Sequence, residues 1–184
     1  MWKSREIIST FLCFNLNMSS LHKNRGMLLE TIINQTNQYY LTNNICLIHK
    51  KNLDITFESI DLKDKKLKLK NAYIKNKSSV DYYGVYNGKF LAFEAKSTED
   101  SILPLANIKN HQIEYLDLIQ KHQGIAFWII FYKIPCEFIL IMHEDFKKLI
   151  ANKKALHYEE AISRAKKLIL LFPGILNIIE NIIF

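Results

Sequence analysis

Apolar residues recur at helical spacing from residue 25 to residue 37: Met27, Leu28 and Ile32, with Leu29 and Ile33 on a neighbouring face, predict the first helix. The pattern then shortens. Residues 45–49, 53–60 and 67–74 read as strands, the last alternating lysine with leucine, and the charged stretch 61–66 lies between the second and third as a tip. Residues 78–96 hold a pair of strands about Asn87-Gly88. A loop with Pro104 follows, then a helix over 107–122. Two strongly apolar strands, 126–132 and 138–142, are joined through 133–137 with Pro135 at the turn. Helices are predicted over 143–150, 158–171 and 175–183. No internal repeat is present, and this order of elements describes an α/β chain of α+β type with one basic protrusion.

Asn87-Gly88 is the strongest short-range hairpin signal, because a type I′ turn needs positive φ at both central residues. With that turn setting register, Tyr86 opposes Lys89, and counting back along the ladder brings Asp81 opposite Glu94, about 17 Å from the turn and with Cβ atoms about 5 Å apart. Lys96 and Ser79 lie two residues from these acids, on the same face. Two opposed carboxylates destabilise a hairpin unless something compensates. A shared Mg²⁺ would do so, with Lys96 beside it to stabilise an oxyanion. The alternative is a surface ion-pair network. Ala92, Phe93 and Ala95 favour a buried setting, where an unpaired carboxylate is expensive. The helix over 107–122 adds a fifth candidate: Ile108, Tyr115, Leu116 and Ile119 form an apolar stripe, and Gln112 falls within it. An inward amide needs a partner, either backbone or the acid cluster.

Composition narrows the classes. With 184 residues, 49% of them apolar, the chain suits one domain with a sizeable core and is not a disordered segment. A formal charge of +7 favours a polyanionic partner. The basic residues concentrate: between 62 and 77 stand seven lysines and one acid, Asp64. This reads either as a functional projecting hairpin or as a solvated edge that lysines protect from edge-to-edge pairing. Cys13, Cys46 and Cys136 are odd in number, widely spaced and set in apolar runs, as expected of reduced buried thiols in a reducing cytosol. The six histidines lack zinc-ligand spacing. Residues 1–17 lack the cleavage site of a signal peptide, and Met18 is an alternative start. The apolar run 168–184 is broken by Pro173-Gly174 and carries Asn177, Glu180 and Asn181, which suits a packing or dimer element and not a membrane span.

Taken in order, Asn24-Arg25-Gly26-Met27, Ile48-His49-Lys50-Lys51, Ala72-Tyr73, Asp81-Tyr82-Tyr83-Gly84-Val85-Tyr86, Phe93-Glu94-Ala95-Lys96, Pro104-Leu105 and His111-Gln112 resemble the RecU family of Holliday junction resolvases. The resemblance runs from about residue 24 to 142 and thins beyond 145. It implies a restriction-endonuclease-like PD-(D/E)XK core, a mixed central sheet flanked by helices. The expected organisation is an N-terminal extension over 1–23, flexible, and one nuclease domain over 24–184 with a stalk at about 53–77. It also implies a cytoplasmic homodimer that resolves four-way junction DNA by paired Mg²⁺-dependent nicks during recombination and repair, alongside recombinase and branch-migration proteins and away from membranes. Asp81, Glu94 and Lys96 would be catalytic; Ser79, Asp81, Glu94 and Gln112 would hold metal, with Ser79 where the family prefers Thr. Arg25, Lys66, Lys68, Lys70, Tyr73, Lys75 and Lys77 would contact DNA. Two rivals stay open: a nuclease of the same fold acting on linear duplex, and a catalytically silent junction-binding protein that modulates recombination.

Overall fold

A computed structural model describes residues 25–63, 66–76 and 80–182. The N-terminal extension, the choice between Met1 and Met18, and the expected ligand Ser79 and DNA contact Lys77 all lie outside the described residues.

The first helix, α1 (Arg25–Thr42), runs five residues past its predicted end. Thr36, Asn37 and Tyr40 are buried there, so its polar end is packed and not solvated. Next come β1 (Leu47–Lys50), β2 (Asp54–Thr56), β3 (Ser59–Lys63), β4 (Lys66–Lys70) and β5 (Tyr73–Asn76). The predicted hairpin is β6 (Tyr82–Tyr86) and β7 (Lys89–Thr98). After β8 (Ile102–Pro104) and a 3₁₀ turn come α2 (Asn110–Lys121), β9 (Ile125–Tyr132), β10 (Glu137–Met142), α3 (His143–Ile150) and β11 (Ala155–His157), which pairs with β8.

β1, β6, β7, β9, β10 and the later β12 (Lys166–Leu168) form a six-stranded sheet in that spatial order. β7 and β9 are parallel, joined through α2, while the other neighbours are antiparallel. This is the expected mixed sheet. β9 lies in its middle and every one of its eight residues is buried, as a strand covered on both faces requires. One face packs Phe93, Phe127 and Tyr82 against Leu29, Ile33 and Tyr40 of α1. The other packs Ala92, Trp128 and Ile130 against Leu116 of α2 and Phe146 of α3. Gly84 is required where β6 meets β1, since a Cβ there would lie 2.0 Å from the carbonyl oxygen of Leu47.

The basic protrusion is a two-part antiparallel hairpin, β2 with β5 and β3 with β4, the first part carrying a bulge at Asp54/Ile55. Its outer part is amphipathic. Ile60 opposes Leu69 and Leu62 opposes Leu67 on one face, while Asp61 opposes Lys68 and Ser59 opposes Lys70 on the other.

The C-terminal third departs from the predicted helices. Instead of a helix over 158–171, a four-residue α4 (Tyr158–Ala161) ends in a turn, and Lys166–Leu168 becomes β12 on the edge of β10. Instead of a helix over 175–183, β13 (Leu170–Leu171) and β14 (Ile175–Leu176) pair across Pro173-Gly174, and a 3₁₀ turn follows. The reason is competition for backbone donors. Tyr40 Oη donates to the Leu176 carbonyl and accepts the Ile179 amide, two groups that a helix over 175–183 would pair internally, while Thr36 Oγ1 accepts the Leu176 amide. The apolar run is a packing element on α1, and no described helix is long and apolar enough to cross a membrane. Cys46 is a free buried thiol, as predicted for all three cysteines. Cys136 is not: half-buried in the β9–β10 turn, it is disulfide-bonded.

Candidate active site

Asn87 (φ 48°) and Gly88 (φ 75°) both occupy the left-handed region, and β6 and β7 pair in the predicted register from Tyr86–Lys89 to Tyr82–Phe93. The next pair on is Asp81 and Glu94. Each acid reaches across to the other strand: Asp81 Oδ2 accepts the Ala95 amide at 3.1 Å, and Glu94 Oε2 accepts the Asp81 amide at 3.2 Å. Lys96 Nζ donates to Glu94 Oε1 at 2.7 Å.

Gln112 occupies the first turn of α2, buried as its place in the stripe predicted. Its amide nitrogen donates to the same Glu94 Oε1, and its Oε1 accepts the Lys109 amide at 3.1 Å. One side chain therefore caps the helix and fastens it to the acid cluster. Gln112 meets both partners that the sequence left open, backbone and acid.

Glu94 has 0% exposure. Burial, followed by the neighbouring Asp81 charge, pushes its carboxyl up to about 8, and Lys96 opposes them incompletely. A buried carboxylate set against a second one calls for a further cation, and its hard oxygen atoms suit Mg²⁺ or a similar ion. Among the described residues no group of three or more His, Cys, Asp or Glu is placed to hold a metal. A cation on Asp81 and Glu94 would draw its remaining ligands from water, substrate or amide oxygen.

Asp81 and Lys96 open onto a cleft of about 280 Å³ that Glu30 of α1 and Lys50 of β1 also line. Glu30 and Lys50 form an ion pair across it. Lys50 falls in a run that carries the family resemblance but was given no role, and Glu30 was not singled out from the sequence. An acid in the second turn of a helix looks like an ordinary solvated residue, and the one usable signal was that Glu30 is the sole acid of α1.

Three of the expected DNA contacts, Lys68, Lys70 and Tyr73, are exposed on the stalk, Lys70 pairing with Asp61 at 2.7 Å. Lys66 and Lys75 hold strand positions in β4 and β5, and Arg25 begins α1.

The family model for Recombination protein U matches residues 24–183. The chain belongs to the RecU family. A protein of Mycoplasmopsis pulmonis named Holliday junction resolvase RecU is 39% identical over 157 residues, which cover 85% of this chain and 92% of that one. One of the same name in Bacillus cereus is 44% identical over 132 residues, covering 71% of this chain and 64% of that one. Among solved structures the chain is similar to the Archaeoglobus fulgidus Holliday junction resolvase Hjc, with a TM-score of 0.46 at 10% identity over 77% of this chain and 90% of that one, a likeness too slight to argue from. RecU membership extends through the C-terminal segment on α1, where the sequence resemblance had thinned.

Proposed function

We propose that the chain is a Mg²⁺-dependent endonuclease that nicks four-way DNA junctions in recombination and repair, working in the cytoplasm as a homodimer. The observation that carries this reading is the meeting of Asp81, Glu94, Lys96 and Gln112 in one hydrogen-bonded cluster, of which Asp81 and Lys96 line a cleft, in a chain of this family.

Asp81 and Glu94 would hold the cation. When bound, Mg²⁺ supplies Lewis-acid polarisation of the phosphoryl oxygens and a more acidic water. The protein's own part is positioning. The β6–β7 register and the two cross-strand amide bonds fix both carboxylates, and Gln112 prevents Glu94 from turning away. Lys96 is mostly shielded from solvent and places its ammonium where a pentacoordinate phosphorus would carry extra charge.

The stalk supports the dimer. Ile60, Leu62, Leu67 and Leu69 share one face and are all exposed, Leu62 at 74%. A projecting two-stranded hairpin is marginal in water, and a second copy of the same face would cover it while leaving both lysine faces outward for DNA.

Purified protein is to be incubated with a labelled four-way junction and with linear duplex of equal sequence, with and without Mg²⁺. Symmetric nicks in the junction alone are expected, and only with Mg²⁺. Asp81→Asn is expected to lower the nicking rate by about 100-fold or more and leave junction binding intact. Equal cleavage of the linear duplex would sink the junction reading. Loss of binding together with nicking would make the acids structural.

A further inference from the structure

β1, β6 and β7 carry the acid cluster at one end, and their shared face does not stop there. Along the face that holds Asp81 and Glu94, the following positions are Tyr83 and Val85 on β6, Ala92 and Phe90 on β7, and His49 and Leu47 on β1. α2 packs chiefly on β7 and β9. Asp117 of α2 turns toward α3, where it meets His143 and Lys147, and Leu118 on the opposite flank is exposed. Tyr83 and Phe90 are therefore left 37% and 38% exposed in the middle of a sheet.

These rings form a connected surface. Tyr83 stacks on Phe90 with centroids 6.2 Å apart and planes 18° apart, and His49 lies 6.3 Å from Tyr83 on the other side. Tyr83 is two residues from Asp81, about 7 Å along the strand. That is a reach that the sugar and base of one nucleotide can cover.

The geometry points to a base-stacking site: an unpaired DNA base next to the scissile phosphate stacks on Tyr83, with His49 and Phe90 holding the ring in place. This rests on the nuclease reading of the acid cluster. Three features favour a nucleotide over a second copy of the chain. The strip runs directly into the carboxylates; its rings include two with polar edges; and no acid stands on it short of Asp81 and Glu94 to repel a phosphate backbone. Stacking is also suited to a branch point, where helical stacking is interrupted and extruding a base costs least.

The test uses full-length protein and a four-way junction carrying 2-aminopurine beside the cleavable phosphate, with Ca²⁺ in place of Mg²⁺ to suppress cleavage. Binding is expected to quench the fluorophore with wild type, Tyr83→Phe and Asp81→Asn, and not with Tyr83→Leu, which keeps an apolar side chain and loses the ring. Tyr83→Leu is also expected to bind the junction about tenfold more weakly, with an unchanged melting temperature. Wild-type quenching and affinity in Tyr83→Leu would overturn the proposal. So would a shift of Tyr83→Leu to a smaller species in sedimentation, which would make this face a self-interface. Asp81→Asn separates the two readings: continued nicking by that variant defeats the nuclease assignment, whereas its quenching reports on Tyr83 alone.

Discussion

A carboxylate with no exposed surface, as at Glu94, is kept from water by the same packing that makes it useful. Its compensation is one ammonium and two hydrogen-bond donors, set against a second carboxylate on the facing strand. Without a divalent cation the balance is unfavourable, so removing the charge relieves the fold. Glu94→Gln is expected to gain roughly 1–2 kcal/mol in a chelating buffer, read as a higher melting temperature, and to lose nicking. A lower melting temperature than wild type would show that Lys96 and Gln112 already compensate the charge. At this scale the sequence was informative where a residue broke a pattern. Asp81 and Glu94 stood out as acids in a hairpin, and Gln112 as an amide in an apolar stripe. Glu30 and Lys50 broke no pattern, and only the packing of α1 beside β1 brings them to the cleft.

α3 shows how an element is fixed by its first residue. His143 is fully buried; its Nδ1 accepts the Trp128 indole N–H at 2.9 Å, and its Nε2 lies 3.1 Å from Asp117 Oδ1, which Lys147 also engages. Burial lowers the His143 pKa below 6.5, and Asp117 offsets only part of that. Burial raises Asp117 as well, but hydrogen bonds from Lys147 and His143 outweigh it and hold its carboxyl low. The unfolded chain therefore takes up a proton that folded His143 refuses, so stability from this site is present above pH 6.5 and is lost as pH falls below it. His143→Gln is expected to remove up to about 1.4 kcal/mol per pH unit from that slope, measured by denaturant unfolding between about pH 6.5 and 5. An unchanged slope would place the acid sensitivity elsewhere. Where contacts are local, the sequence was legible: the bounds of α3 and the turn and register of the β6–β7 hairpin are as predicted. β12 and β14 were not. Their apolar spacing fits a helix, and what decides against it is a β10 edge and the hydroxyl of Tyr40 on α1, which stand far away in the chain.

On the scale of the whole molecule, the two tasks proposed for the stalk fall on opposite faces, and they can be separated by mutation. If its lysines neutralise phosphates, each lost contact flattens the dependence of log affinity on log salt by about 0.9. Lys68→Gln with Lys70→Gln is then expected to reduce the slope by up to about 2 and leave the oligomer intact. The apolar face predicts the converse. Leu62→Ser with Leu67→Ser removes side chains that are 74% and 71% exposed in one copy, so it should not unfold the monomer, and sedimentation is expected to show dissociation. The functional consequence is a change of product, which a plasmid carrying a cruciform would reveal. A dimer places two nicks within one bound lifetime and linearises the circle. Separated subunits nick once and leave a relaxed circle. Linear product at the wild-type rate from the double leucine variant would mean that the subunits are held together by another surface, and that the stalk's apolar face is covered by the junction itself.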